Sequence, residues 1–249
     1  SETFANFQKK FDKHDIGVMV GYSYEYYMSR SSGLTGKDFV NEALGNENMG
    51  AGNPEKNEIW NGYSDNKLVS GMFRLNYVYD NKYLLTLTAR ADGSSKFGKN
   101  NKWAMFPSGA VSWKAHEESF IKNLNVFDEL KFRFSYGKLG NQQMDNYYPT
   151  ISIVSDGMNY LQGNNIWFGQ LPNVTAVSPT NLTWESTETF NVGLDLSMLN
   201  GKLTLTADAY VKNTNDVLLP IPVSGSAGIK GLPIQNAGQV RNKGLELSI

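Results

Sequence analysis

The 249-residue chain has no cysteine. Disulfide frameworks, thiolate metal sites and cysteine nucleophiles are excluded with it. Histidine is almost as scarce. Only His14 and His116 are present, no HExxH or paired-His spacing joins them, and neither a histidine zinc site nor a cofactor is expected. A basic excess is missing too: the formal charge is -1, so nothing points to nucleic acid as a partner. No apolar run approaches the ~18 residues that a transmembrane helix needs. Together with a mean hydropathy of -0.41, this rules out a helical membrane protein. It leaves a membrane barrel open, because barrel strands alternate apolar and polar residues and average out as soluble. The chain starts at Ser1 without Met or a signal peptide and stops at Ile249 inside an alternating run. An internal fragment is therefore expected, and the missing signal says nothing about compartment.

What is present is a pattern of period two. Ile16, Val18, Val20, Tyr22, Tyr24 and Tyr26 alternate with Gly17, Met19, Gly21, Ser23 and Glu25. The same alternation runs through Val69–Tyr79, Tyr83–Ala91, Gly109–Trp113, Leu130–Tyr136, Phe190–Met198, Leu203–Val211 and Leu245–Ile249. Strict alternation is the strand signal. About eight strands are expected, with a further partial one near Thr3 to Gln8. The apolar faces of these runs are uncharged. The charges lie on the opposite faces: Glu25, Arg74, Arg90, Asp92, Lys114, Lys131, Arg133, Asp195, Asp208, Lys212 and Glu246. A Lys or Arg facing mid-bilayer lipid costs about 2–4 kcal/mol, whereas a barrel lumen is wet. A soluble β-sandwich segregates its faces in the same way, so this feature alone does not choose between them.

Connection lengths favour the barrel. Tight turns fall at Asp80-Asn81-Lys82 and Asn200-Gly201-Lys202, the second an Asn-Gly hairpin signal. Long polar connections fall at roughly 29–66, 93–102, 140–184 and 213–241, and a modest one at 115–128 contains a short helical stretch. Short turns on one side and long loops on the other are what an up-and-down membrane barrel has. Tyrosines add to this: Tyr24, Tyr26 and Tyr27 stand beside a long loop, and Tyr77, Tyr79 and Tyr83 flank a short turn, as in two interfacial girdles.

No catalytic constellation emerges. Asp195 and Asp208 are the nearest to a carboxylate pair, and a solvated polar wall is the better reading. The run 225–231 resembles a phosphate loop but lacks its GxxxxGK[ST] spacing. Both histidines fall in connections on the short-turn side, which argues against a serine–histidine hydrolase. Aromatic residues in the long loops are the candidate ligand contacts: Trp60, Tyr63, Tyr160, Trp167 and Phe168. Flat rings stack on sugars or fill peptide pockets, although large loops also need small cores of their own. Arg74, Arg90, Asp92, Lys131, Arg133, Asp195 and Asp208 are read as a lumen-facing polar wall.

Several stretches carry a family resemblance. Residues 83–98 (YLLTLTARADGSSKFG), Phe106-Pro107-Ser108 with Val111-Ser112-Trp113, and residues 132–142 (FRFSYGKLGNQ) are three of them. Asn181-Leu182-Thr183-Trp184-Glu185-Ser186-Thr187 with 190–195, and Asn236-Ala237-Gly238 with 242–246, complete five ordered motifs. Over about 67–249 the chain resembles the SusC/RagA family of TonB-linked outer-membrane transporters of the Bacteroidetes. Residues 1–66 fit only loosely. The resemblance implies that 1–249 is part of a TonB-dependent receptor-like β-barrel domain with its plug domain absent, in the bacterial outer membrane. It further implies drive by TonB–ExbB–ExbD through the missing plug, a SusD-like surface lipoprotein as partner, outer-membrane lipid around the wall, and import of oligosaccharides or peptides. Such barrels have about 22 strands, so this stretch should form an all-β, antiparallel, open curved sheet of about 8–9 strands. A ladder between the first and last strands would instead close a small barrel. A soluble or surface-anchored all-β glycan-binding protein is the alternative.

Overall fold

The computed structural model describes residues 1–41, 43, 45–144, 148–151, 153–155, 158–162, 165–169, 173–176, 179, 181–224 and 232–249, and the side chains of all of these except 45, 46 and 153–176. Its strands are β1 (Glu2–Phe11), β2 (His14–Thr35), β3 (Glu58–Tyr79), β4 (Tyr83–Ser94), β5 (Trp103–Lys114), β6 (Phe127–Asn141), β7 (Ile153–Ser155), β8 (Met158–Gln162), β9 (Asn165–Gly169), β10 (Asn173–Ala176), β11 (Glu185–Met198), β12 (Leu203–Asn215), β13 (Leu218–Pro220), β14 (Ile234–Asn236) and β15 (Val240–Ser248). Nine of them form one antiparallel sheet in the order β1-β2-β3-β4-β5-β6-β11-β12-β15. The other six make the pairs β7–β10, β8–β9 and β13–β14 inside long connections. The large sheet is a meander, each strand beside its predecessor. Its order ends on β1 and β15, so it is the open sheet expected of a barrel segment.

The connections alternate as expected, with corrected bounds. The partial strand near Thr3 is a full ten-residue β1, joined to β2 by a turn at Asp12 and Lys13 that alternation did not reveal. The long connection expected over 29–66 shrinks to 36–57, because Ser- and Gly-rich residues at its ends continue β2 and β3. Asn200 and Gly201 do have positive φ, but so does Leu199, so the turn runs from Leu199 to Lys202. Between β5 and β6 lie a 3-10 turn, Ala115–Glu117, and a short helix α1, Ser119–Lys122.

The chain divides into two compact units, Tyr26–Lys67 and the rest. In the larger unit, register builds the two faces. One apolar row reads Tyr79, Tyr83, Trp113, Phe132, Leu194, Ala207 and Leu247 across neighbouring strands. The next reads Tyr77, Leu85, Val111, Phe134, Val192, Ala209 and Leu245. The opposite face carries Ser112, Arg133, Gly193, Asp208 and Glu246 in one row. Beyond the ends of the alternating runs this face does carry charge: Lys138 lies opposite Glu188, Lys9 opposite Ile16 and Lys243 opposite Val211. Lys138 and Glu188 pair with each other, and Lys9 and Lys243 sit a few residues from a strand end, from which a long aliphatic stem can carry its ammonium to the interface.

Burial separates the barrel from the sandwich. Among the described residues only Phe97, Phe106, Ala115, Met144, Leu182 and Trp184 are buried hydrophobics. Val111 and Val192, at the middle of the apolar face, are 48% and 46% exposed. A soluble domain of this length would cover such a face with a second layer. A contiguous apolar face of this extent marks a membrane or partner surface.

Candidate functional site

The charged face is tied together around Arg133 on β6. Its Nε donates to Asp195 Oδ2 at 2.8 Å and its Nη2 to Asp195 Oδ1 at 2.9 Å and Asp208 Oδ2 at 3.0 Å. Lys131 Nζ lies 3.6 Å from Asp195 Oδ2. Gly193 makes this possible. Its row position lies between Arg133 and Asp208, and a Cβ there would fall 2.5–2.7 Å from Asp208 Oδ1 and from Arg133 Cζ and Nη2. The guanidinium therefore crosses β11 flat against the backbone and serves both carboxylates, the fork geometry that suits Arg and not Lys. Asp195 and Asp208 thus hold a guanidinium between them, not a reacting bond. A second cluster joins β3 and β4: Arg90 Nε donates to both Asp92 oxygens at 2.7 and 2.9 Å, and Nη2 to Ser70 Oγ at 3.0 Å. Six of the expected wall residues therefore group into two clusters. Arg74 stands opposite Thr88 and forms no ion pair among the described residues.

Trp60 and Tyr63 do not share one face. In the Tyr26–Lys67 unit, Trp60 lies over Gly33, where a Cβ would meet its ring at 2.4 Å. Tyr63, an odd number of residues away on the same strand, faces the other way. Its hydroxyl is 3.2 Å from that of Tyr26, and Arg30 Cζ is 5.8 Å from its ring centroid, a cation–π contact. Both rings are about half exposed. Backbone register places Tyr160 opposite Trp167, and Phe168 opposite Asn159, in the β8–β9 hairpin; their side chains lie outside the description, as does the whole run 225–231.

Sequence reasoning missed a knot at the roots of the long loops. Phe97, Phe106, Met144, Leu182 and Trp184 form a buried cluster flanked by Leu68, Ala104, Leu218 and Ile234. Trp184 packs on Phe97 at 4.9 Å and edge-on to Phe106 at 5.5 Å, and its Nε1 donates to Lys102 O at 3.2 Å. Lys96, nearly buried, donates to Met144 O at 3.0 Å. Asn236 accepts from Thr183 N and donates to Thr183 O, both at 2.8 Å. Glu185 accepts from Asn141 Nδ2 and from Leu218 N, both at 3.2 Å. The available signal was a set of large apolar residues inside polar connections, Phe97, Met144, Leu182 and Trp184.

The short-turn end has its own hub. Glu118 Oε1 accepts from Tyr83 OH at 2.7 Å and Trp113 Nε1 at 3.4 Å, and Oε2 from Lys82 Nζ at 3.2 Å. The Tyr83 hydroxyl bond, opposed by desolvation and helped by Lys82 and Trp113, holds the Glu118 carboxyl below its ordinary range. His14 joins the neighbouring rings, its Nδ1 2.7 Å from Tyr77 OH.

An open meander with one apolar and one ion-paired face, tyrosine-rich at its short-turn end, defines a segment of an outer-membrane β-barrel. The family model "TonB dependent receptor-like, beta-barrel" matches residues 2–249, and the chain belongs to that family. It is similar to TonB-dependent receptor P26 of Formosa agariphila, at 36% identity over 240 residues, covering 96% of this chain and 24% of that protein. It is also similar to TonB-dependent receptor SusC of Bacteroides thetaiotaomicron, at 38% identity over 187 residues, covering 74% of this chain and 18% of SusC. Among solved structures, the RagAB peptide transporter gives a TM-score of 0.81 at 26% identity, over 99% of this chain and 26% of that one. The same importer in its "closed-closed" state gives 0.83. The chain thus spans about a quarter of the length of these relatives or less.

Proposed function

We propose that this chain supplies wall and loops to a TonB-dependent importer of the outer membrane that takes up oligosaccharides or peptides. The carrying observation is the division of one sheet into an uncovered apolar face and a face cross-linked by Arg133, Asp195 and Asp208. The first face meets lipid and the second lines the lumen, where ion pairs keep a wide polar wall ordered. The long connections face outward and help capture the substrate together with the start of β3, which carries Trp60 and Tyr63 as contacts. A SusD-like lipoprotein as partner and TonB coupling through a plug are part of the proposal. The peptide importer named among the similar structures supports the peptide class, and the oligosaccharide class rests on the resemblance carried by the five motifs.

The test is growth of a strain carrying the full-length gene on a limiting oligosaccharide mixture or a limiting peptide mixture. Deletion should abolish growth on one of these, and so should removal of TonB. Trp60→Ala with Tyr63→Ala should slow growth at low substrate concentration and not at saturation. A deletion strain that grows normally on both would refute the importer reading.

A further inference from the structure

The apolar face is not smooth. A groove of roughly 610 Å³ is sunk into it, within the ~300–1,000 Å³ of small-molecule sites. Register explains it. The row through Tyr83, Trp113 and Phe132 is a ridge of rings. The next row drops to Leu85 and Val111 before rising to Phe134. Leu85 and Val111, smaller than the rings of the first row and than Phe134, leave a slot in the short-turn half of β4 to β6. Tyr77, Leu85, Val111, Trp113, Phe134 and Val192 line it.

The slot changes character along its length. Towards mid-strand its walls are hydrocarbon and ring faces. At the short-turn end it meets Tyr83 and Trp113, whose polar atoms both turn to Glu118. Glu118 also holds Lys82, which lies 3.4 Å from Asp80, itself 3.4 Å from Lys13. Lys13, Asp80, Lys82 and Glu118 alternate in sign there, and Lys114 Nζ, 3.3 Å from Asn81 Oδ1 on the same turn, adds a further cation.

We infer that the slot holds one acyl chain of a diacyl phospholipid from the leaflet at the short-turn end, with its zwitterionic headgroup over the Lys82–Glu118 network. The inference rests on the reading of this face as lipid-facing. The hydrocarbon chain fits the apolar part, continuous with the rest of the lipid face. A headgroup carrying both a phosphate and an ammonium finds a partner for each charge, lysines for the phosphate and the Glu118 and Asp80 carboxylates for the ammonium, whereas a purely anionic one faces both carboxylates with nothing to offer them. A recessed chain is walled on its sides by rings, so it exchanges more slowly than a lipid lying on the flat parts of the same face.

The experiment is native mass spectrometry of the full-length protein extracted from its membrane, through detergent steps that strip loosely held lipid. One phosphatidylethanolamine-class lipid should survive. Val111→Phe fills the slot with an apolar ring and should lower its occupancy at least tenfold. Leu205→Phe, on the same face outside the slot, should leave it unchanged. Val192→Phe fills the slot from the other wall and serves if Val111→Phe does not assemble. Glu118→Gln should keep a bound lipid but shift the retained headgroups several-fold towards phosphatidylglycerol. Unchanged occupancy in both Phe variants with normal heat-modifiable mobility would overturn the inference, as would retention of lipopolysaccharide or detergent alone. In either case the lipid-face reading stands, since that is tested separately by lysine substitution.

Discussion

Gly140→Ala tests the knot more sharply than any truncation within it. A Cβ at Gly140 would lie 1.9 Å from Phe106 Cζ and 2.4 and 2.6 Å from its two Cε atoms. The ring cannot yield by a small shift, because it is 6% exposed and set edge-on against Trp184, which packs on Phe97. Accommodating the methyl therefore means moving Phe106 out of the cluster. Lost burial of a Phe side chain is about 1.5–3 kcal/mol, and the lost ring pairing about 0.5–1.5 kcal/mol. Reduced freedom of the unfolded chain returns about 0.4–1 kcal/mol. A net loss of about 1–4 kcal/mol follows from those three terms. Gly71→Ala is the control: nothing lies within 4 Å of its Cβ, so it should be neutral or slightly stabilising. Urea unfolding of the full-length protein in lipid vesicles gives the stabilities, and limited proteolysis reports the loops. In a Phe106→Ala background the penalty at position 140 should vanish, a coupling that a double-mutant cycle reads directly. If Gly140→Ala costs the same with and without Phe106, or no more than Gly71→Ala, the packing argument is wrong.

Three further outcomes are expected. Val192→Lys in the full-length protein should block barrel assembly on a heat-modifiability gel and Thr206→Lys should not, given the ~2–4 kcal/mol midplane cost of Lys in lipid; equal tolerance would sink the face assignment. A cysteine replacing the fully exposed Val40 should react with an impermeant maleimide on intact cells, and one at Gly201 should not; the reverse result inverts the topology. The lowered carboxyl of Glu118 stabilises the short-turn end fully above the ordinary value of 4.5 and loses that contribution as pH falls through its folded value. Protease sensitivity of 115–126 should therefore stay flat down to about that pH and rise below it, while Glu118→Gln should be sensitive already at neutral pH and show no such rise.

Strand positions and faces were legible because lipid on one side and ion pairs on the other impose an alternation that register then reproduces. β1 was the exception. Phe7 lies opposite Val18 on the apolar face, while Phe4 lies opposite Gly21, so its phenylalanines break period two. A Cβ on Gly21 would fall 2.5 Å from the Phe4 ring; the ring fills the space the glycine leaves. Trp60 over Gly33, Trp103 over Gly93 and Tyr210 over Gly244 repeat the device, which restores packing where glycine weakens a strand. A one-dimensional pattern does not show which ring covers which glycine. The same limit hid the division of Trp60 from Tyr63, since a loop assignment over 29–66 assigned no faces at all.

The stretches that carry the family resemblance do different work from the candidate substrate contacts. Ser94, Lys96 and Phe97 come from the first motif, Phe106 from the second, Gly140 and Asn141 from the third, Leu182 to Glu185 from the fourth and Asn236 from the fifth. All meet at the knot, through the Trp184–Lys102, Lys96–Met144, Asn236–Thr183 and Glu185–Asn141 bonds. The Trp184 bond spans 82 positions in the chain, so motif order reflects the meander and not local structure. A root fastened in this way holds both ends of the 142–184 connection, and one bond from Asn236 to Asp216 O gathers in the start of the next. With the roots fixed, loop tips can differ in length and chemistry without disturbing the wall. That is why the family was readable from these motifs and the substrate was not: the motifs specify how loops are attached, and the candidate substrate contacts lie outside them.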